Sequence, residues 1–222
     1  MAHARPGLGV YSLPEVSELT GLKTSRVREW FRGRQGATPR SPLFRGDFDP
    51  IEKDFAVSFL DLIDVYVAGQ LRDHGVSLRT VRRVYERMGQ NMATPHPFAR
   101  QEVRTDGKEV FLRGIEPDGQ EELIEVLTRQ KVFPQIIAPF LKQIDYDRMT
   151  ILACRWHIDN LIVVDPAYCF GKPIVEGTRM PTAILADAYN ANDEDAEAIA
   201  DWFNVSPADV QAAVRFEARM AA

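Results

Sequence analysis

The sequence predicts a mixed, mostly α fold: an N-terminal winged helix-turn-helix, a small α/β middle module of about four strands, and a C-terminal three-helix, homeodomain-like tail. Three observations lead there. Apolar residues recur at helical spacing behind serine caps across residues 1–90. Short alternating runs separated by turn residues fill 91–164, and capped helical patterns return over 165–222.

In the first segment, Ser12 is a cap followed by Pro14 and Glu15, and the stripe Leu13, Val16, Leu19 stops at Gly21. A second short helix opens near Thr24 and turns Val27, Trp30 and Phe31 inward. Two short helices joined by a tight Gly-containing turn form the helix-turn-helix pattern. The following RQGATPRSPLFRGDFD is rich in Gly, Pro and Arg, and its apolar centre Leu43-Phe44 suits a small β-hairpin wing. Ser58 with Asp61, and then Ser77, cap two further helices that end at Gly75 and Gly89.

The middle module begins where Thr94-Pro95-His96-Pro97 breaks any helix. Thr105-Asp106-Gly107-Lys108 reads as a hairpin turn between QEVR and EVFLR. Helices are expected around Glu121–Val132 and Gln135–Ile144, then a hairpin pairing Ile151–His157 with Leu161–Val164. In the tail, a loop FGKPIVEGTRMP precedes a helix starting at Pro181 or Thr182. A second helix is capped by Asn192 or Asp193, and a third by Ser206. Ile184, Leu185, Ile199, Trp202, Phe203 and Val210 are the expected tail core.

Charge divides the chain. Between Lys23 and Gly46 there are seven Lys/Arg against one acid, Glu29; between Asp187 and Glu217 there are eight Asp/Glu against one base, Arg215. One end should attract a polyanion and the other repel it, within a net charge of −5. A soluble, cytoplasmic protein is expected, because no apolar run reaches membrane-spanning length and the N-terminus lacks an apolar signal core. Cys154 and Cys169 read as small buried hydrophobes rather than a disulfide framework.

The positions of the second helix left for solvent are Lys23, Ser25, Arg26, Arg28 and Arg32, and Thr24 at its opening joins them. With Arg34, Arg40 and Arg45 of the wing they make the expected DNA-binding surface: Arg26 and Arg28 toward base edges or nearby phosphates, the wing arginines on the backbone. Arg79, Arg82, Arg83 and Arg87 fit phosphate contacts and a solvated face equally well. Reading two half-sites calls for a homodimer. Metal, cofactor and catalytic readings find little support. Cys154 and His157, three apart on a strand, point to opposite faces. Gly171-Lys172 lacks a phosphate loop's first glycine, and Pro173 replaces its Ser/Thr.

The order of helix-turn-helix, basic wing and two helices ending in GVSLRTVRRVYERM resembles the DNA-binding domain of MerR-type regulators over about residues 9–90. It departs from them where Gly89 and Pro95 stop the long dimerising helix. The segment from Val163 to Met220 is similar to the small C-terminal domain of a group of bacterial antitoxins. The marks are Asp165-Pro166, Gly171-Lys172-Pro173, Gly177-Thr178-Arg179-Met180-Pro181 and the Ser-Pro-x-Asp-Val helix start. VSFLDLIDVYVAGQLRDHGVSL is similar to the winged-helix domain that precedes this tail in VapB-like antitoxins.

The combined resemblance implies a type II antitoxin, not an enzyme, that neutralises a PIN-like ribonuclease toxin and represses its own operon by binding operator DNA. Lys172, Thr178 and Arg179 are then the expected toxin contacts. Arg179 is suited to pair bidentately with the carboxylates of a metal-dependent nuclease. The same loop fits a purely structural role, with Gly171 and Gly177 making turns and Pro181 starting a helix. The competing expectation is a MerR-like regulator whose middle module senses a small ligand without a toxin partner.

Overall fold

A computed structural model describes residues 9–34, 36, 39–49, 55–105 and 138–221. The chain is mixed α/β and divides into two compact units, one spanning Tyr11–Ala153 and the other Cys154–Ala222 together with the segment ending at Val10.

In the first unit, α1 (Leu13–Thr20) starts on the expected capping box of Ser12 and Glu15 and ends at Gly21, where φ is +71°. Helix α2 (Thr24–Arg32) buries Val27, Trp30 and Phe31. Its chain turns at Gly33, and Arg34 and Arg40 then exchange backbone hydrogen bonds of 2.8 and 2.9 Å. Leu43 and Phe44 are not strand residues. Both are buried, and both amides donate to the carbonyl of Trp30, at 2.7 and 3.0 Å. With both amides turned to one helix-end carbonyl, neither can join a strand ladder; they plug the core instead. The Phe44 ring packs against Trp30, Phe31 and Tyr85 at centroid distances of 5.9, 5.5 and 4.9 Å.

Helix α3 (Phe59–Asp73) opens on the capping box of Ser58 and Asp61 and is buried around most of its circumference, from Phe59 to Leu71. A helix apolar on all sides belongs at the centre of a domain. Helix α4 (Leu78–Met92) is one-sided and buries Val81, Val84, Tyr85 and Met88 behind its Ser77 cap. It runs through Gly89 to a left-handed Ala93. Gly89 is a point of close approach rather than a stop: a Cβ there would lie 3.2 Å from the carbonyl of Thr94. A 3-10 turn (Pro97–Ala99) and α5 (Gln101–Thr105) follow, so QEVR is helical and not a hairpin strand. The remainder of that expected hairpin and the helix expected over Glu121–Val132 lie outside the described residues. The helix expected from Gln135 is described as α6 (Ala138–Leu141), before a short strand β1 (Ile144–Tyr146).

The second unit holds an antiparallel meander. Strand β2 (Ala153–His157) pairs with β3 (Ile162–Val164) in the register Trp156↔Val164 and His157↔Val163, the expected hairpin. Strand β3 also pairs with β4 (Pro173–Val175), placing Val163 opposite Ile174, and β4 pairs with β5 (Met180–Pro181). The segment FGKPIVEGTRMP is therefore largely a hairpin and not a loop. Sequence patterning missed it because its two apolar runs are only two or three residues long.

Three helices complete the unit: α7 (Thr182–Ala191), α8 (Ala196–Phe203) capped by Asp195, and α9 (Pro207–Met220) capped by Ser206. Helix α9 packs against α7, α8, β3 and β4. Leu185, Ile199 and Val210 are buried as expected, but Ile184 and Trp202 face solvent. Ala186, Ala200, Ala212, Ala213 and Phe216 take their place, and small side chains let helices close on one another. The cysteines also depart from expectation: Cys154 is half-buried and Cys169 exposed.

Candidate functional site

The first candidate surface is the outer face of α2 with the segment after it. Lys23, Ser25, Arg26, Arg28, Arg32, Arg34, Arg40 and Arg45 are exposed, and Thr24 is half-buried. At about 100° per residue, Ser25, Arg28 and Arg32 share the stripe opposite the buried Val27, Trp30 and Phe31. Arg26 lies about 160° from Arg28, on the flank toward α3, where it pairs with Asp73 at 3.5 Å. The two arginines expected to act together thus face different ways.

The other arginines differ in how they are held. The Arg32 guanidinium lies 4.4 Å above the Phe55 ring, and Arg40 pairs with Glu29 at 3.6 Å. From α4, Arg82 donates to the carbonyls of Pro42 and Ser41 at 2.5 and 2.7 Å. That role in positioning the basic segment carries no signal in the local sequence, because its partners lie some 40 residues upstream.

Behind this surface is a polar cluster that sequence reasoning passed over. His96 is buried, with Nε2 3.0 Å from Asp47 Oδ1 and Nδ1 3.0 Å from Asp64 Oδ2. Asp61 Oδ1 approaches Nδ1 at 3.7 Å. Asp64 also accepts from the Tyr85 hydroxyl and the Phe98 amide, both at 3.0 Å. Asp47 Oδ2 accepts from the Ser58 hydroxyl at 2.6 Å. Burial pulls the imidazole's proton affinity down, yet the hydrogen bonds to Asp47 and Asp64 and their charges more than offset it, leaving His96 pushed up to about 10. Burial pushes Asp61 up to about 6 and raises Asp64 as well, whereas its bond to His96 holds Asp47 below the usual carboxylate range. Only the spacing of Asp61 and Asp64, one turn apart in the apolar first part of α3, hinted at a shared partner.

The second candidate surface is on the C-terminal unit. Arg155, Val163, Asp165, Tyr168, Ile174, Glu176, Gly177 and Arg179 line a pocket of about 300 Å³. Arg155 donates through Nε and Nη2 to Asp165 Oδ2 at 3.1 and 2.9 Å, and the Arg179 guanidinium stacks 4.7 Å over the Tyr168 ring. Of the three expected toxin contacts, Arg179 lines this pocket and Lys172 is exposed outside its lining. The Thr178 hydroxyl closes its own turn, donating to the carbonyl of Val175 at 2.9 Å and accepting from the Met180 amide at 3.0 Å. Nearby, left-handed backbone at Cys169 and Phe170 leaves the Phe170 ring 80% exposed. On the helices, Trp202 is 64% and Ile184 46% exposed, far more open than apolar side chains that fill a core.

The chain is similar to known proteins in sequence and in fold. A family described as "Protein of unknown function (DUF433)" matches residues 162–216. A Mycobacterium tuberculosis protein named "Putative antitoxin VapB45" is 24% identical over 215 residues, 89% of each chain. The crystal structure of Rv2018 from Mycobacterium tuberculosis shares the fold, with a TM-score of 0.74 at 24% identity, over 92% of this chain and 96% of that one. Among the described residues, no helix is long and apolar enough to cross a membrane.

Proposed function

We propose that this chain is the antitoxin of a type II toxin–antitoxin system: a cytoplasmic, non-enzymatic homodimer that represses its own operon and sequesters a PIN-like ribonuclease. The observation that carries the reading is the similarity, over nearly the whole of both chains, to a protein whose name says antitoxin. In this reading residues 1–90 act as a winged helix-turn-helix, with Ser25, Arg28 and Arg32 turned toward the groove. Lys23, Thr24, Arg26, Arg34, Arg40 and Arg45 steady the DNA backbone from either side. Phosphate contacts of this kind set register, and base-edge contacts set sequence.

The tail carries the partner. Its acidic helices oppose DNA, and exposed Phe170, Ile184 and Trp202 offer aromatic and aliphatic anchors of the kind that dominate protein interfaces. A PIN-like nuclease would meet them with a basic rim, and Arg179 would answer its active-site carboxylates. The deciding experiment co-expresses a tagged form of the chain with a PIN-domain protein encoded beside its gene. Stable co-purification and relief of growth arrest are expected. A chain that neither binds nor silences that nuclease would end the antitoxin reading.

A further inference from the structure

The cluster around His96 holds more negative charge than its own hydrogen bonds balance. Three carboxylates converge on one imidazole, and two of them, Asp61 and Asp64, are 1% exposed or less. Asp64 is fully served: its oxygens take the Tyr85 hydroxyl, the Phe98 amide and the imidazole. Asp61 is not. Its Oδ2 accepts from the amides of Asp47 and Ser58 at 3.0 and 3.3 Å, but its Oδ1 is buried without a hydrogen-bond partner among the described residues. A buried carboxylate oxygen left unpaired is costly, and it is aimed into the cluster.

We propose that Asp47, Asp61 and His96 bind a divalent transition-metal ion of the zinc or manganese class. One ligand atom from each of the three lies within 4.8 Å of the other two. Bonds of about 2.0–2.2 Å at tetrahedral angles place neighbouring ligands of one ion about 3.4 Å apart, slightly more than the 3.0 Å between His96 Nε2 and Asp47 Oδ1. Asp61 Oδ1, which stands 3.7 Å from Nδ1 of the same ring, would swing toward the Nε2 edge to complete the set. The imidazole is prepared for the role: Nδ1 donates to Asp64, which fixes the tautomer and frees Nε2 as a ligand once its proton leaves. A carboxylate behind a metal-binding histidine is the usual supporting partner. One nitrogen and two carboxylate oxygens suit zinc or manganese better than calcium, which prefers six or more oxygens. Asp47, whose side chain is 28% exposed, provides the entry path.

The site bears on the basic segment whatever that segment binds. Asp47 is two residues beyond Arg45, and an ion shared with α3 and the loop after α4 would fix that end of the segment.

The test uses the full chain, stripped with EDTA and titrated separately with Zn²⁺ and Mn²⁺ by calorimetry, with DNA and partner absent. One ion per chain at micromolar affinity or tighter is expected, with an upward shift in Tm. At least tenfold weaker binding is expected in both Asp61→Asn and Asp47→Asn, and none of that loss in the Cys154→Ser/Cys169→Ser control. Should Asp61→Asn misfold, Asp47→Asn at the exposed rim decides. In the unaltered protein, Mn²⁺ should broaden the His96 ring signals before those of His74 and His157. Absence of stoichiometric binding, binding indifferent to both aspartates, or a first effect on another histidine would overturn the proposal. A failed metal titration leaves the antitoxin reading untouched, and loss of the toxin partner leaves the metal site untouched.

Discussion

The carbonyl oxygen of Arg40 sits 2.2 Å from where a Cβ on Gly33 would lie, and Gly33 has φ of +73°. No other residue type fits both conditions. Gly33→Ala should destabilise the first unit by about 1–3 kcal/mol from backbone strain alone, read as a lower urea midpoint. Because the clash is with backbone that closes the basic segment, operator affinity should fall more than stability does. A variant with unchanged midpoint and unchanged affinity would contradict the observed turn.

Separating Arg26 from Arg28 gives a second prediction. Arg28 shares the outward stripe with Ser25 and Arg32, and Arg26 is turned aside to Asp73. Arg28→Ala should weaken operator binding by about tenfold or more, the cost of a lost base-edge contact. Arg26→Ala should cost less, and in filter binding should lower the salt slope by no more than about 0.9. Neither should move Tm appreciably, since exposed ion pairs contribute about 1 kcal/mol at most. Equal losses in both would put Arg26 on the same contact face.

The buried imidazole predicts a pH dependence. With a chelator present, His96 holds its proton in the folded state up to about 10 but only to about 6.5 when unfolded. Its contribution is therefore complete below the lower value and drains away as pH rises through the upper one. Asp47, Asp61, Asp64 and Tyr85 all face it, and the hydrogen bonds and charges of Asp47 and Asp64 set this window. Asp61 works in a separate window: its raised value favours the folded state in acid, and that contribution is lost as pH climbs through about 6. Urea unfolding of the wild type should show a stability loss between about pH 6.5 and about pH 10 that His96→Gln lacks. Parallel curves for the two proteins would refute it.

A fourth prediction separates docking from packing in the tail. Trp202→Ala removes an exposed ring and should leave thermal unfolding nearly unchanged while abolishing co-purification with the nuclease. Phe216→Ala empties a buried position on α9 and should cost about 3–5 kcal/mol. If Trp202→Ala unfolds the protein and leaves the complex intact, the exposed face belongs to the fold and not to a partner.

Where the sequence was legible, local chemistry was the reason. Ser12, Ser58, Ser77 and Ser206 each cap the helix expected of them, because a cap needs only its neighbours. The hairpin of β2 and β3 was also legible from its turn. Leu43 and Phe44 were not, since a pair of adjacent apolar residues reads as strand until the carbonyl of Trp30 claims both amides. Trp202 was misread for a related reason: helical spacing places it near the apolar stripe, and only the Ala-lined contact of α7, α8 and α9 shows that the stripe is filled without it. His96 stayed hidden because its partners come from positions 47, 61 and 64, distances over which a single sequence carries no periodic signal.

The pairing of Val163 with Ile174 constrains how the chain can be cut. Strand β3 is hydrogen-bonded on both sides, by β2 and by β4, and all three of its residues are buried. Severing the chain after Asp165 would strip β4 away and leave three valine and isoleucine residues presenting bare amides and carbonyls. Such an edge recruits other chains. A truncated protein of that kind would precipitate or pair with itself, and its behaviour would report on a wound in the sheet rather than on the missing tail.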